Sequence, residues 1–242
     1  MPTELTAGRF VERLTAYRSP DHLRKYQRAF RVAEGGDRFI GVRMGQVFAL
    51  AKEFIELPPA ELDQLLDSPI HEVRVGALSI MDKQARRRRT PEGRRRELFE
   101  LYLRRIDRID NWDLVDLAAP YVVGGYLFDF DRPRDVLDEL ARSESPWQRR
   151  TAIVATGYFI RQGEVDDTFR IAELLAADDH DLVQKATGWM LREAGKRDRQ
   201  RLLEFLDRRA ARLPRTLLRY AIEHLDQQQR AHYLGMKHAT YG

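Results

Sequence analysis

Apolar residues recur at helical spacing along almost the whole chain, and the alternating, β-branched runs that mark strands are scarce. Val73, Ala77, Ile80 and Met81 form one such stripe; Leu98, Leu101 and Leu103 form another. Breakers cut the pattern into short pieces at Ser19-Pro20, Gly35-Gly36, Pro58-Pro59, Ser68-Pro69, Thr90-Pro91, Pro120, Gly124-Gly125, Pro133, Ser145-Pro146, Gly163 and Pro214. Thr90-Pro91-Glu92 predicts a helix start, with Thr as the cap, Pro in the first helical position and acid in the first turn. The expectation is an all-α chain of short helices.

The pieces resemble one another. Val73-Arg74-Val75-Gly76-Ala77-Leu78, Gln148-Arg149-Arg150-Thr151-Ala152-Ile153, Val183-Gln184-Lys185-Ala186-Thr187-Gly188 and Leu217-Leu218-Arg219-Tyr220-Ala221-Ile222 each follow a turn rich in Asp, Ser or Pro. Each carries a cation and continues with small and apolar residues. Their starts are separated by 75, 35 and 34 residues, and the stretch around Asn111 falls near the middle of the long gap. A period of roughly 35–40 residues with two helices per unit is the mark of HEAT-like arrays. The chain is therefore expected to form a single HEAT-like helical-repeat domain over residues 1–242, a solenoid whose concave groove suits a long polymer.

Composition narrows the chemistry. None of the 242 residues is cysteine, which excludes disulfides, thiolate metal sites and a Cys nucleophile, and fits a cytoplasmic protein. No basic segment followed by an apolar one opens the chain, and no apolar run approaches a membrane span, so no membrane partner is expected. The sequence pI is about 9.4. Arg86, Arg87, Arg88 and Arg89 are followed closely by Arg94, Arg95 and Arg96, then Arg104, Arg105 and Arg108. Guanidinium forks match phosphate geometry, and an arginine run just upstream of Trp112 favours a phosphate-binding surface over a merely solvated face.

Several chemistries are absent. Gly35-Gly36-Asp37-Arg38-Phe39 lacks the Lys-Ser/Thr of a phosphate loop and reads as a turn. The six histidines show no metal-ligand spacing and read as surface or structural, and there is no GxSxG elbow. What remains is Trp112 and Asp116, four apart in Asp110-Asn111-Trp112-Asp113-Leu114-Val115-Asp116. On a helix they share one face, and an aromatic plate beside a carboxylate can face a sugar bearing positive charge. On spacing alone a structural role for Asp116, pairing with an arginine such as Arg150, leads narrowly. Trp147, after Ser145-Pro146, reads as core filling at a helix entry. Trp189, with Lys185 one turn before it and Arg192 three residues after, suits a groove face.

Four segments taken in order resemble the AlkD-type DNA alkylation repair family: Gly36-Asp37-Arg38-Phe39-Ile40-Gly41-Val42-Arg43, Trp112-Asp113-Leu114-Val115-Asp116, Trp147-Gln148-Arg149-Arg150-Thr151-Ala152, and Gln184-Lys185-Ala186-Thr187-Gly188-Trp189-Met190-Leu191-Arg192-Glu193. The resemblance runs from about residue 20 to 225. It implies a monofunctional DNA glycosylase, without lyase activity, that removes cationic alkylated purines from double-stranded DNA. It implies Asp116 as the catalytic carboxylate, Trp112 and Trp189 as flanking aromatics, and Arg150 near the lesion's phosphate. Tyr26 is the best candidate for the family's N-terminal active-site tyrosine. With Lys185 and the Arg86–Arg89 run on phosphates, DNA binding would be salt-dependent. Recognition without a deep pocket would admit bulky adducts. No metal or cofactor is expected, and the protein is expected to act as a monomer. Two other readings stay open: a binder of branched or damaged DNA that does not cut, and a helical-repeat scaffold for proteins.

Overall fold

The computed structural model describes residues 5–29 and 38–236, so Gly36 and Asp37 of the N-terminal signature lie outside the described residues. The described residues are almost wholly helical, and the extended backbone among them is one isolated bridge between Arg38 and Ile70. By contacts the chain divides into two compact units, Met1–Tyr126 and Leu127–Gly242.

In unit 1 the helices are α1 (Ala7–Thr15), α2 (Pro20–Ala29), α3 (Met44–Glu53), α4 (Pro59–Leu66), α5 (His71–Arg86), α6 (Glu92–Arg104) and α7 (Trp112–Ala118). A π-helical turn at Ala119–Gly124 carries α7 into α8 (Gly125–Asp129) at the boundary. In unit 2 follow α9 (Asp135–Ala141), α10 (Pro146–Gln162), α11 (Asp166–Leu174), α12 (Asp181–Arg197), α13 (Arg199–Arg209), α14 (Arg215–Ala221) and α15 (Gln227–Gly235). This is an all-α helical-repeat fold.

The sequence period survives as helix register. The helices α5, α10, α12 and α14 begin at residues 71, 146, 181 and 215, with the same separations of 75, 35 and 34, and α7 fills the long gap. Within unit 1, α3 packs on α5 and α5 on α7; within unit 2, α10 packs on α12 and α12 on α14. Three entries share one device. Arg74 Nη1 donates to the Ser68 carbonyl at 3.1 Å, Arg149 Nη1 to the Ser143 carbonyl at 3.0 Å, and Gln184 Nε2 to the Asp178 carbonyl at 2.8 Å. Each side chain reaches back six residues, ties the incoming turn to the helix, and satisfies a carbonyl the turn would otherwise strand.

Small residues set the closest approaches. A Cβ on Gly188 would stand 2.4 Å from the Leu217 carbonyl oxygen and 2.5 Å from Tyr220 Cβ, so only glycine lets α12 meet α14 there. Gly76 gives the same clearance to the ring of Phe10, whose edge-on partner Phe54 centres the unit 1 core. Val73, Ala77, Ile80 and Met81 are fully buried as their spacing predicts.

Three local expectations are corrected. Tyr102, not Leu103, completes the buried stripe of α6, because the fourth residue after Leu98 lies on its face and the fifth does not. The helix after Thr90 starts one residue late, at Glu92, because Pro91 takes the cap position with ψ at 156°. Pro120 and Gly124-Gly125 do not end a helix. The chain widens into π geometry there, which accommodates a proline that has no N–H for the carbonyl four residues earlier, that of Asp116.

Candidate functional site

In unit 1, Trp112 opens α7 and Asp116 lies one turn on, so indole and carboxylate share a helix face as expected. Trp112 lies in the first turn of a helical run that continues through the π turn into α8, and the amides of a first turn have no partners within the helix, so the start of α7 is held from outside. Asn111 is the cap; its side-chain oxygen accepts from the Trp112 amide at 2.8 Å. Asp110 receives Arg74 Nη2 at 2.9 Å, from an arginine only 2% exposed. Asp113 Oδ2 lies 2.8 Å from Nε2 of His71, which is fully buried. A carboxylate only accepts, so that nitrogen carries the proton. Thus α5 grips both sides of Trp112. The indole nevertheless stays 41% exposed, where a purely structural tryptophan would be covered. Asp116 is half-buried.

Tyr26 belongs to the same neighbourhood. Its ring lies 5.9 Å from Phe39, and Phe39 lies 4.7 Å from His71. Its hydroxyl donates to the Val42 carbonyl at 2.9 Å. Burial pushes the phenol above its ordinary value, and the charges of Glu72 and Asp113 add to that, so it stays a neutral donor. The loop beneath Tyr26 is built on Glu72, a fully buried carboxylate that accepts from the amides of Ile40, Gly41 and Val42 at 2.8 to 3.3 Å. Gly41 has φ of 79°, and a Cβ there would lie 2.2 Å from the Ser19 carbonyl oxygen, which explains the Ile40-Gly41-Val42 pattern.

Sequence reasoning placed the Arg86–Arg89 run near Trp112. Arg86 ends α5 and lies against Tyr121, whereas His71 at the start of α5 touches Asp113, so the run sits at the opposite end of α5, about 22 Å along that helix from His71. Arg86 chelates Asp82 at 2.7 and 2.8 Å and stacks 3.7 Å over Tyr121. Arg87 pairs with Glu56 at 2.6 Å, Arg89 reaches the same carboxylate at 3.7 Å, and Arg88 is exposed. No local sequence signal marks Glu72, Arg74 or Asp113 as holding this site, and His71 reads from sequence only as surface or structural. Only the three-dimensional fold links residues 36 to 42 positions apart.

In unit 2, Arg150 and Lys185 are each the fifth residue of their helices, as Asp116 is of α7. Arg150 is 5% exposed and donates to the Leu182 carbonyl, stapling α10 to α12. Lys185 pairs with Asp181 at 2.6 Å; this hydrogen bond raises the ammonium and lowers the carboxyl from their ordinary values. Trp189 follows one turn later and is half-buried. A cavity of about 410 Å³ lies against it, lined also by Gly157, Ile160, Arg161, Met190 and Glu193. Although burial opposes it, Lys196 and Arg192 hold the Glu193 carboxyl below its ordinary value, so the cavity keeps a fixed negative charge among cations. Trp147 sits edge-on to His180 at 5.7 Å but is only half-buried, so it packs at the helix entry without filling the core as expected.

Among the described residues, no helix is long and apolar enough to cross a membrane. A solved structure of a predicted DNA alkylation repair enzyme from Enterococcus faecalis is similar in fold, with a TM-score of 0.67 and 18% identity, over 87% of this chain and 97% of that one. No curated protein matches. A family model described as DNA alkylation repair enzyme matches residues 10–225, and the chain therefore belongs to that family, with a role in DNA alkylation repair.

Proposed function

We propose that the protein is a monofunctional DNA glycosylase that hydrolyses the N-glycosidic bond of N3- or N7-alkylated purines in duplex DNA. The observation that carries this reading is the seat of α7. An exposed indole and a half-buried carboxylate share one face of a helix whose start is clamped by Arg74 and His71. Alkylation makes the base cationic, so it departs neutral and needs no strong general acid. Positive charge then develops on the deoxyribose. Asp116 stabilises that charge and orients the attacking water. Trp112 packs against the sugar and adds cation–π attraction, and Trp189 in unit 2 offers a second aromatic surface to the DNA. Tyr26, held neutral, donates rather than ionises. Lys185 contributes to phosphate binding, and Arg150, almost buried, orders the helices that present it. Family membership supports DNA as the substrate.

The test is release of 7-methylguanine and 3-methyladenine from alkylated duplex DNA under single-turnover conditions. Asp116→Asn should slow release at least about 100-fold with DNA affinity retained. Release at the wild-type rate would remove Asp116 from the chemistry. Absence of release by the wild type itself, with DNA still bound, would make the protein a damage binder.

A further inference from the structure

We propose that unit 1 carries a second anion site, a cavity that binds a phosphate group, at the turn between α5 and α6. The cavity has a volume of about 350 Å³ and is lined by Arg87, Arg89, Arg94, Thr90, Gln84 and Glu56, among others. Three guanidiniums line it against the single lining carboxylate of Glu56, while Arg94 also meets Glu97, outside the lining, at 3.5 Å. Glu56 is 62% exposed and shared, 2.6 Å from Arg87 Nη1 and 3.7 Å from Arg89 Nη2, so water takes much of its charge and positive potential remains in excess.

Arg94 is the least satisfied of the three. Its Nε reaches Glu97 at 3.5 Å, while its Nη1 is buried with no hydrogen-bond partner. Its own carboxylate partner therefore does not neutralise Arg94 fully, and its charge adds to that of Arg87 and Arg89 at the cavity. The helix adds to this. The 13-residue α6 starts at Glu92 behind Pro91, which offers no side-chain cap, so the positive end of the helix faces the same turn. Forked guanidiniums around a small polar space, with no aromatic among the lining residues, suit a tetrahedral oxyanion and not a base. The place is the far end of α5 from His71, so this site is distinct from the one around Trp112 and does not depend on the glycosidic chemistry.

The phosphate can belong to a DNA strand or be free, and the test separates the two. Inorganic phosphate is titrated into the full chain at constant ionic strength with chloride as the balancing anion; binding is read by calorimetry and by the unfolding midpoint. The wild type should show saturable binding and a raised midpoint. The Arg89→Gln/Arg94→Gln double variant should bind at least about tenfold more weakly. Glu56→Gln, which removes only the opposing carboxylate, should bind more tightly. No saturable binding by the wild type, or equal binding by the double variant, overturns the site. Should the double variant fail to fold, unchanged affinity in Glu56→Gln overturns it instead. In the second arm, undamaged duplex DNA is titrated against salt. Loss of about one to two units of log–log salt slope in the double variant identifies a DNA phosphate as the occupant, and unchanged DNA binding identifies free phosphate.

Discussion

The two units hold their tryptophans in opposite ways. In unit 2, Trp189 is the ninth residue of a 17-residue helix whose own hydrogen-bond ladder fixes its direction. In unit 1, Trp112 is the first residue of α7, in a first turn whose amides have no ladder partners although the helical run continues through the π turn into α8. Its direction comes from neighbours: a cap from Asn111, an ion pair from Arg74 on one side, and the His71–Asp113 contact on the other. The start of a helix can thus be aimed accurately, but only by buried polar groups, each of which becomes a point of failure. The long helix is aimed by backbone and packing, and tolerates the loss of one polar contact. The entry staples differ as well, but not by unit: Arg74 in unit 1 and Arg149 in unit 2 are ionic, whereas Gln184 in unit 2 is neutral.

The largest expected effect tests that contrast directly. Arg74→Met should cost about 3 kcal/mol in urea unfolding, because a buried pair is broken and Asp110 is left without its cation. Gln184→Met should cost about 1 kcal/mol. Base release should fall further in Arg74→Met than in Gln184→Met at matched folded fraction; equal losses in both would abolish the distinction between the two seats.

Glycine substitutions come next. Gly188→Ala drives a Cβ into the Leu217 backbone, which cannot move alone, and should cost about 2–3 kcal/mol. Gly76→Ala meets the edge of the Phe10 ring, which can shift, and should cost roughly 1–2 kcal/mol. Gly157→Ala meets only the Met190 sulfur at 3.3 Å and should be neutral, or gain up to about 1 kcal/mol from helix propensity. If thermal denaturation ranks these three in another order, backbone contact is not what limits the approach of α12 to α14.

The smallest effects are those of pH, and they differ in sign between the units. In unit 1 the folded value of the Tyr26 phenol lies above its ordinary value of 10.0, so its contribution is complete below that pH and fades as pH rises through the folded value. Tyr26→Phe should flatten the alkaline limb of the stability profile. In unit 2 the hydrogen bond from Lys185 depresses Asp181 below its ordinary 3.8, so its contribution is present above that pH and fades as acid titrates the folded group. The pair is largely exposed, so Asp181→Asn should change the acid limb by less than about 1 kcal/mol. An acid-limb change exceeding the alkaline one would reverse the comparison.

Much of the fold was legible in the sequence because helices are local. Residues three and four apart meet on one face whatever the rest of the chain does. That is why the buried stripe from Val73 to Met81, the repeat spacings of 75, 35 and 34, and the shared face of Trp112 and Asp116 were all readable. The misreadings were also local in cause. Pro120 and Gly124-Gly125 are breakers by propensity, yet a π turn carried the helix through them.

What the sequence determined by itself, then, is the all-α repeat, its register and the residue types that one turn of α7 presents, since these follow from periodicity alone. Tertiary structure alone decided how that turn is held and where the arginines go. His71 finds Asp113 across 42 positions and Arg74 finds Asp110 across 36, and no local pattern records such pairings. The Arg86–Arg89 run ends α5 beside Tyr121, while His71 at the other end meets Asp113, because a 16-residue helix holds its two ends a fixed distance apart.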